Sequence, residues 1–205
     1  MRKGPACSDA NMRPMSAPPP AIDVWPLPYE EKLAQRPDAQ VDLVVVHCTE
    51  LPDLAVAREY GERVMHASGA GNSGHYYVDR DGSVHLWVHP GRVANHCRGY
   101  NPRSIGIELV NLGRFPDWYD SRHQDMPEPY TEAQLQALLG LLASLRRSLT
   151  SLRWIAGHED LDTARVEASD DPALLVWRKR DPGPHFPWPR VLESCALERL
   201  LPDAG

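Results

Sequence analysis

A chain of 205 residues can bury one substantial core with some length to spare, which excludes a large multidomain assembly. Its 22 Lys and Arg against 28 Asp and Glu give a net charge of -6 with no basic stripe, so the electrostatic footprint of a nucleic-acid partner is absent. Twenty prolines, roughly twice ordinary usage, predict that much of the backbone is irregular.

No run of 18 or more apolar residues occurs, so a membrane-spanning helix is not expected. Pro5, Asp9, Pro14, Pro18, Pro19, Pro20 and Asp23 interrupt every apolar stretch in the first 30 residues and leave no recognisable secretion signal. The expectation is a cytoplasmic protein, with a periplasmic one left open. Cys7, Cys48, Cys97 and Cys195 include no CxxC pair and read as reduced thiols rather than a disulfide framework or a zinc ribbon.

Residues 1–40, with eight prolines and no apolar period, predict an irregular arm that Trp25, Leu27 and Tyr29 can pin to the rest. A folded domain is expected over residues 41–205. It opens on a strand at residues 41–47, where the run Leu43, Val44, Val45, Val46 suits a strand covered on both faces. Pro52 suits a helix start, and Leu54, Ala57, Val64 and Met65 extend that helix to about His66. Residues 75–89 read as two strands, Tyr76/Val78 and Val84/Leu86/Val88, around Asp81-Gly82, a pair suited to a type I′ turn.

Residues 104–110 predict another inner strand, apolar except for Glu108. Thr131 and Gln134 form a capping box ahead of Leu135, Leu138, Leu139, Leu142 and Leu145 at helical spacing, with Arg146 and Arg147 completing the dipole. Residues 152–157 read as a strand ending at His158, and the Pro-rich stretch 182–189 leads into a last helix near residues 191–200. Strands interleaved with helices predict an α/β fold, a central mixed sheet of about five to six strands flanked by helices.

Chemistry concentrates at few places. His47 and His158 each stand at the carboxyl end of a predicted strand, where α/β sheets build their sites. Lys179-Arg180-Asp181 precedes Pro182-Gly183-Pro184, and in an extended segment residues two apart share a side. Lys179 and Asp181 can therefore enter one pocket while Arg180 turns away. Catalytic zinc takes three protein ligands from His and Asp/Glu and keeps a fourth position open, a count that His47, His158 and Asp181 satisfy without any local motif. Glu108 in an apolar run is costly unless it is paired, exposed or functional, and a general base is one such function.

Together, VVVHCTE (44–50), SGHYYVDRDGSV (73–84), SIGIELVN (104–111), the helix start Pro129-Tyr130-Thr131, AGHEDLD (156–162) and RKRDPGPHFPW (178–188) resemble the zinc-dependent N-acetylmuramoyl-L-alanine amidases. That family includes phage lysozyme-type amidases and animal peptidoglycan recognition proteins, and the six segments follow its order. The resemblance implies zinc at His47, His158 and Asp181, Glu108 as catalytic carboxylate, and Lys179 beside the developing oxyanion. Asp at the third ligand and Glu at position 108 are similar to the bacterial branch that recycles anhydromuropeptides. Gly74 departs from the phage pattern, which has a catalytic Tyr there, so Glu108 is expected to take that role.

His75 and His96, the latter in Asn95-His96-Cys97-Arg98-Gly99, are implied as cleft residues for the sugar or lactyl group. Cys48 and Cys97 read as core thiols pointing away from the site. The 22 residues between His158 and Asp181 exceed the compact connection of the recycling branch, and residues 167–177 look like an inserted wall of the cleft.

The implied activity is hydrolysis of the amide between N-acetylmuramic acid, or its anhydro form, and L-alanine in soluble peptidoglycan fragments (muropeptides), by a zinc-carrying monomer. The alternatives are a binding module that keeps the fold without catalysis, a wall-degrading amidase acting on intact sacculi, and a structural zinc in an unrelated α/β protein. Workable residues at all three ligand positions, with Glu108 and Lys179, favour the enzyme. A closed structural zinc would draw on cysteine, and none of the four stands at a matching position.

Overall fold

The computed structural model describes residues 19–202. At its centre lies β2 (Leu43–Cys48), buried along its whole length because both faces are covered. β2 pairs in parallel with β5 (Ser104–Leu109) on one side and β6 (Trp154–Gly157) on the other. β3 (Tyr76–Val78) joins β5 in parallel, and β4 (Val84–Leu86) returns antiparallel to β3. The five expected inner strands are thus present. Two short edges, β1 (Ile22–Val24) along β4 and β9 (Glu198–Arg199) along β6, bring the mixed sheet to seven in the order β1-β4-β3-β5-β2-β6-β9.

Strand alternation sorts the two faces. Val44, Val46 and Cys48 of β2 and Ile105, Ile107 and Leu109 of β5 meet Leu135, Leu138, Leu141, Leu142 and Leu145 of α2 (Glu132–Ser148). Each such leucine contributes roughly 1.5–3 kcal/mol on burial, which makes this face the main core. The expected capping box holds its start: Thr131 Oγ1 accepts from the Gln134 amide, and the Gln134 side chain accepts from the Thr131 amide. On the opposite face Leu43, Val45, Cys97 and Ala156 form a smaller cluster. Beyond it, toward the carboxyl ends of β2 and β5, that face opens into a cleft.

Several local expectations are corrected. Helix α1 (Leu54–Glu62) starts after Asp53, whose side chain accepts from the Val56 amide, and it ends before Val64 and Met65, which are exposed. The turn after β3 is not type I′, which needs two positive φ angles: only Gly82 has one, at 86°. The Asp79 carbonyl accepts from the Gly82 amide, giving a type I turn followed by a left-handed glycine. Helix α4 (Trp188–Cys195) stops at Ala196, which turns left-handed at φ 50°, and the chain enters β9 instead of continuing as helix to residue 200.

Over residues 19–40 the chain is mostly irregular but lies on the sheet, with Leu27, Tyr29 and Leu33 buried and Trp25 edge-on to Trp87. The prolines before residue 19 and Cys7 lie outside the described residues. Between His158 and Asp181 stand the one-turn helix α3 (His158–Leu161) and a separate hairpin of β7 (Arg165–Glu167) and β8 (Leu175–Trp177). Cys48, Cys97 and Cys195 are free and buried. Among the described residues no helix is long and apolar enough to cross a membrane.

Candidate active site

Three strands deliver the site. His47 is the fifth residue of β2, on the face opposite α2, and its partner across the β2–β5 ladder is Glu108. The alternation that sends Ile105 and Ile107 into the core sends Ser104, Gly106 and Glu108 to this face. His158 follows the last residue of β6. Asp181 arrives from the far side of the β7–β8 hairpin, pinned where its carbonyl accepts from the Glu159 amide at 2.8 Å. His47 Nδ1 lies 2.8 Å and His158 Nδ1 3.1 Å from Asp181 Oδ2, and the three buried residues form a group able to hold a metal ion.

Proton positions follow from the outer end of this network. Ser104 Oγ–H donates to the Tyr100 carbonyl at 2.8 Å, so toward His96 Nε2, 3.2 Å away, the oxygen can only accept. His96 therefore carries its proton on Nε2 and presents a bare Nδ1 to His47 Nε2 at 3.0 Å, which must donate. A neutral His47 is then bare at Nδ1, the atom facing Asp181. Burial keeps it neutral, lowering its pKa to about 4 despite the neighbouring Asp181 carboxylate. Burial by itself would raise the Asp181 carboxyl, but the charge and hydrogen bond of His158 lead the opposing effects, which hold the group well below the usual carboxylate range. A nitrogen lone pair and an ionised carboxylate thus meet at 2.8 Å without a proton between them, an arrangement that a cation reconciles. Asp181 Oδ1 is also buried with no hydrogen-bond partner. Two imidazoles and a carboxylate are the donor set of an open zinc site, and these residues fit one.

Glu108 stands at the rim of this group, Oε1 4.0 Å from His47 Nδ1, with its side chain 14% exposed. Burial and the nearby Asp181 charge push its pKa well above the ordinary value, against the opposing Lys179. A Cβ on Gly74 would lie 2.8 Å from Glu108 Cγ. The position that carries Tyr in the phage pattern therefore has no room for a side chain while Glu108 stands beside it.

The cleft has a volume of about 710 Å³ and is lined by His47, His96, Glu108, His158, Lys179 and Asp181 at its base. Tyr60, Arg63, Met65 and His66, and also Arg114, Trp118, Tyr119 and Arg178, line it as well. His96 lines the cleft. His75 does not: it is fully buried behind the cleft, its Nδ1 accepting from the Gly106 amide and its Nε2 lying 3.0 Å from the Arg92 carbonyl and 2.9 Å from the Arg36 guanidinium. The expectation for residues 167–177 is also corrected, since none of them lines the cleft. The hairpin instead buttresses the loop that does: Ser169 donates to the Tyr119 carbonyl, and Asp170 accepts from the Ser121 amide and hydroxyl.

Sequence reasoning passed over Glu50 and Arg114, a buried ion pair on the cleft wall. Glu50 sits inside the VVVHCTE segment and Arg114 just beyond SIGIELVN, yet nothing local in either stretch signals a partner 64 residues away.

Residues 37–184 match the family described as N-acetylmuramoyl-L-alanine amidase. Over 86 residues the chain is 34% identical to the endolysin of Klebsiella phage KP32. That stretch is 42% of this chain and 52% of the endolysin, so the chain spans about half the length of this curated relative. Among solved structures, the N-acetylmuramoyl-L-alanine amidase LysC from Clostridium intestinale URNW is similar with a TM-score of 0.62 and 17% identity, covering 87% of this chain and 99% of that one. The amidase AmiD from E. coli, solved with the substrate anhydro-N-acetylmuramic acid-L-Ala-D-gamma-Glu-L-Lys, gives 0.60 and 23% over 80% of this chain and 61% of its own. At these identities the two structures speak for the fold. The family match spans most of the chain and reaches from before β2 to beyond Asp181, and the chain belongs to the N-acetylmuramoyl-L-alanine amidase family.

Proposed function

We propose that this family member is a zinc-dependent hydrolase that cleaves the amide between N-acetylmuramic acid, or its anhydro form, and L-alanine in soluble peptidoglycan fragments. The observation that carries the reading is the bare His47 Nδ1 facing the ionised Asp181, with the unpartnered Asp181 Oδ1 beside it, at the base of an open cleft. His47, His158 and Asp181 would hold the metal. Zinc, when bound, supplies the positive charge that polarises the scissile carbonyl and brings the pKa of water to about 7.

The chain's own groups do the rest. Glu108, whose pKa burial and the Asp181 charge raise above the ordinary carboxylate value, accepts a proton from the attacking water at a carboxylate oxygen. It delivers that proton to the L-alanine nitrogen as the carbon–nitrogen bond breaks, leaving a lactyl carboxylate on the sugar and a free amine on the peptide. Lys179 Nζ donates to the carbonyl oxygen as negative charge builds there, a contribution of roughly 3–4 kcal/mol for such a donor. His96 holds the His47 ring by accepting from Nε2–H, which keeps Nδ1 turned inward.

The finer substrate is supported by Asp181 and Glu108, which are similar to the recycling branch, and by AmiD, which shares the fold and was solved with an anhydromuramyl peptide. A cleft of about 710 Å³ is within the range of sites for a single small ligand. The test is zinc analysis joined to mass spectrometry of the products from anhydromuramyl-tripeptide and from intact sacculi. A higher kcat/KM on the soluble fragment, with an L-alanine-ended peptide as product, supports recycling and with it a cytoplasmic location. Equal or faster release from sacculi would replace that role with wall degradation.

A further inference from the structure

Lys179 stands just past β8, and among the described residues β8 pairs only with β7, so no ladder of the central sheet places it. Two residues later the chain is anchored by Asp181 against His47 and His158. Two residues earlier the Trp177 carbonyl accepts from Arg114 Nη1 at 2.8 Å. Arg114 is itself clamped by Glu50, Nε to Oε1 at 2.6 Å and Nη2 to Oε2 at 2.9 Å, in a bidentate pair whose side chains are 1% and 10% exposed.

Glu50 lies three residues beyond His47 and takes a left-handed φ of 49°, a conformation that a residue with a side chain adopts only when its surroundings enforce it. The same loop closes on its backbone, where the Trp118 indole donates to the Glu50 carbonyl. A buried ion pair stabilises little compared with apolar packing of the same volume, so stability alone gives small reason for this one. What it does join is the end of the His47 strand to the segment that carries Lys179.

We propose that Glu50 and Arg114 are positioning residues for the hydrolysis, setting where the Lys179 ammonium stands relative to His47 and Glu108. This rests on the reading of Lys179 as the donor to the developing oxyanion. Arg114 touches no substrate atom in this account, because Glu50, Gln124 and the Trp177 carbonyl take up its guanidinium. Lysine at position 114 would keep the charge, but one ammonium cannot form the parallel pair with Glu50 and also reach Trp177.

The experiment is a cycle of four zinc-loaded proteins: wild type, Lys179→Ala, Arg114→Lys and the double variant. Each is assayed for peptide release from anhydromuramyl-tripeptide, with zinc content and thermal melts alongside. Lys179→Ala should lower kcat by about 10²–10³-fold, as loss of an oxyanion donor does. Arg114→Lys should lower kcat by about tenfold to a hundredfold, the cost of a misplaced group, with little change in KM. In the double variant the Arg114→Lys loss should vanish, because there is no lysine left to misplace. Losses that multiply, or an Arg114→Lys enzyme with wild-type kcat, would overturn the proposal. A Lys179→Ala enzyme as fast as wild type would instead reject the role of Lys179 itself. Glu50→Gln, which keeps the shape and removes the charge, goes through the same cycle and carries the test if Arg114→Lys loses zinc or its cooperative melt.

Discussion

Gly106 is the third residue of β5, and the His96 ring lies directly over it, so Gly106→Ala is a narrow probe of how the site is supported. A Cβ there would stand 2.7 Å from His96 Cγ and 2.8 Å from its Nδ1. To regain an ordinary contact of 3.4 Å the ring has to recede from the sheet by about 0.7 Å. It is held at both ends by residues of that same sheet, His47 at 3.0 Å and Ser104 at 3.2 Å. A shift of about 0.7 Å along either bond would take it past roughly 3.5 Å, where a hydrogen bond is effectively gone, and a shift across them tilts both out of the ring plane. Loss of such an outer support costs about 10–100-fold in metal affinity, or about 1.4–2.7 kcal/mol. Overpacking adds about 1–3 kcal/mol against folding, offset in part by the ~0.5–1 kcal/mol that alanine regains over glycine in a strand. Chelator competition for zinc reads the first quantity and urea unfolding the second. In a Gly106→Ala, His96→Ala double variant the clash is gone, so stability should recover while zinc affinity stays low. A folded Gly106→Ala protein that binds zinc as tightly as wild type would refute the reasoning, because His96 would then not be orienting His47.

Three further outcomes are expected. Elemental analysis should find about one zinc per chain in wild type and much less in His158→Ala, and full occupancy in that variant would remove His158 from the site. Glu108→Ala should keep its zinc and lose most turnover, and it should also relieve Gly74→Ala, whose added Cβ meets Glu108 Cγ at 2.8 Å. Near-wild-type activity in Glu108→Ala would reassign the base, and an equal melting loss for Gly74→Ala in both backgrounds would discount the contact. The last concerns acid stability. Burial and the adjacent Arg36 lower the His75 pKa from 6.5 to about 3, so the neutral ring the fold requires is freely available only above pH 6.5. Its contribution is whole above that value and is lost as pH falls toward 3, at about 1.4 kcal/mol per pH unit for one proton. His75→Gln should therefore lose less stability than wild type between pH 7 and pH 5 in urea melts; equal losses would contradict the linkage.

The local rules were sufficient where one segment carries its own evidence. The buried run of β2, the alternation of Ser104, Gly106 and Glu108 against Ile105 and Ile107, and the capping box of α2 all follow from periodicity and side-chain chemistry within a few residues. So did the placing of His47 and His158 at strand ends. The edges were not legible in this way: β1 has three residues between prolines, and β9 has two, after a left-handed Ala196 that no composition rule foretells. The 79–83 turn likewise depends on φ at Asp81, which Asp-Gly permits but does not impose.

The sequence by itself determined which chemical groups this protein owns and which strand faces they can share. Only the tertiary structure decided which of them meet. His75 and His96 have similar standing in the sequence, yet one is locked behind the cleft by the Gly106 amide and the other stands over Gly106 with its nitrogen on His47. Asp181 reaches His47 across 134 positions, and Arg114 reaches Glu50 across 64. Periodicity is a property of a single segment, whereas register and loop closure are properties of pairs of segments. The parallel β2–β5 register that sets Glu108 opposite His47 is selected by the whole packed sheet, where a slip of one residue would turn every apolar side chain of β5 to the wrong face.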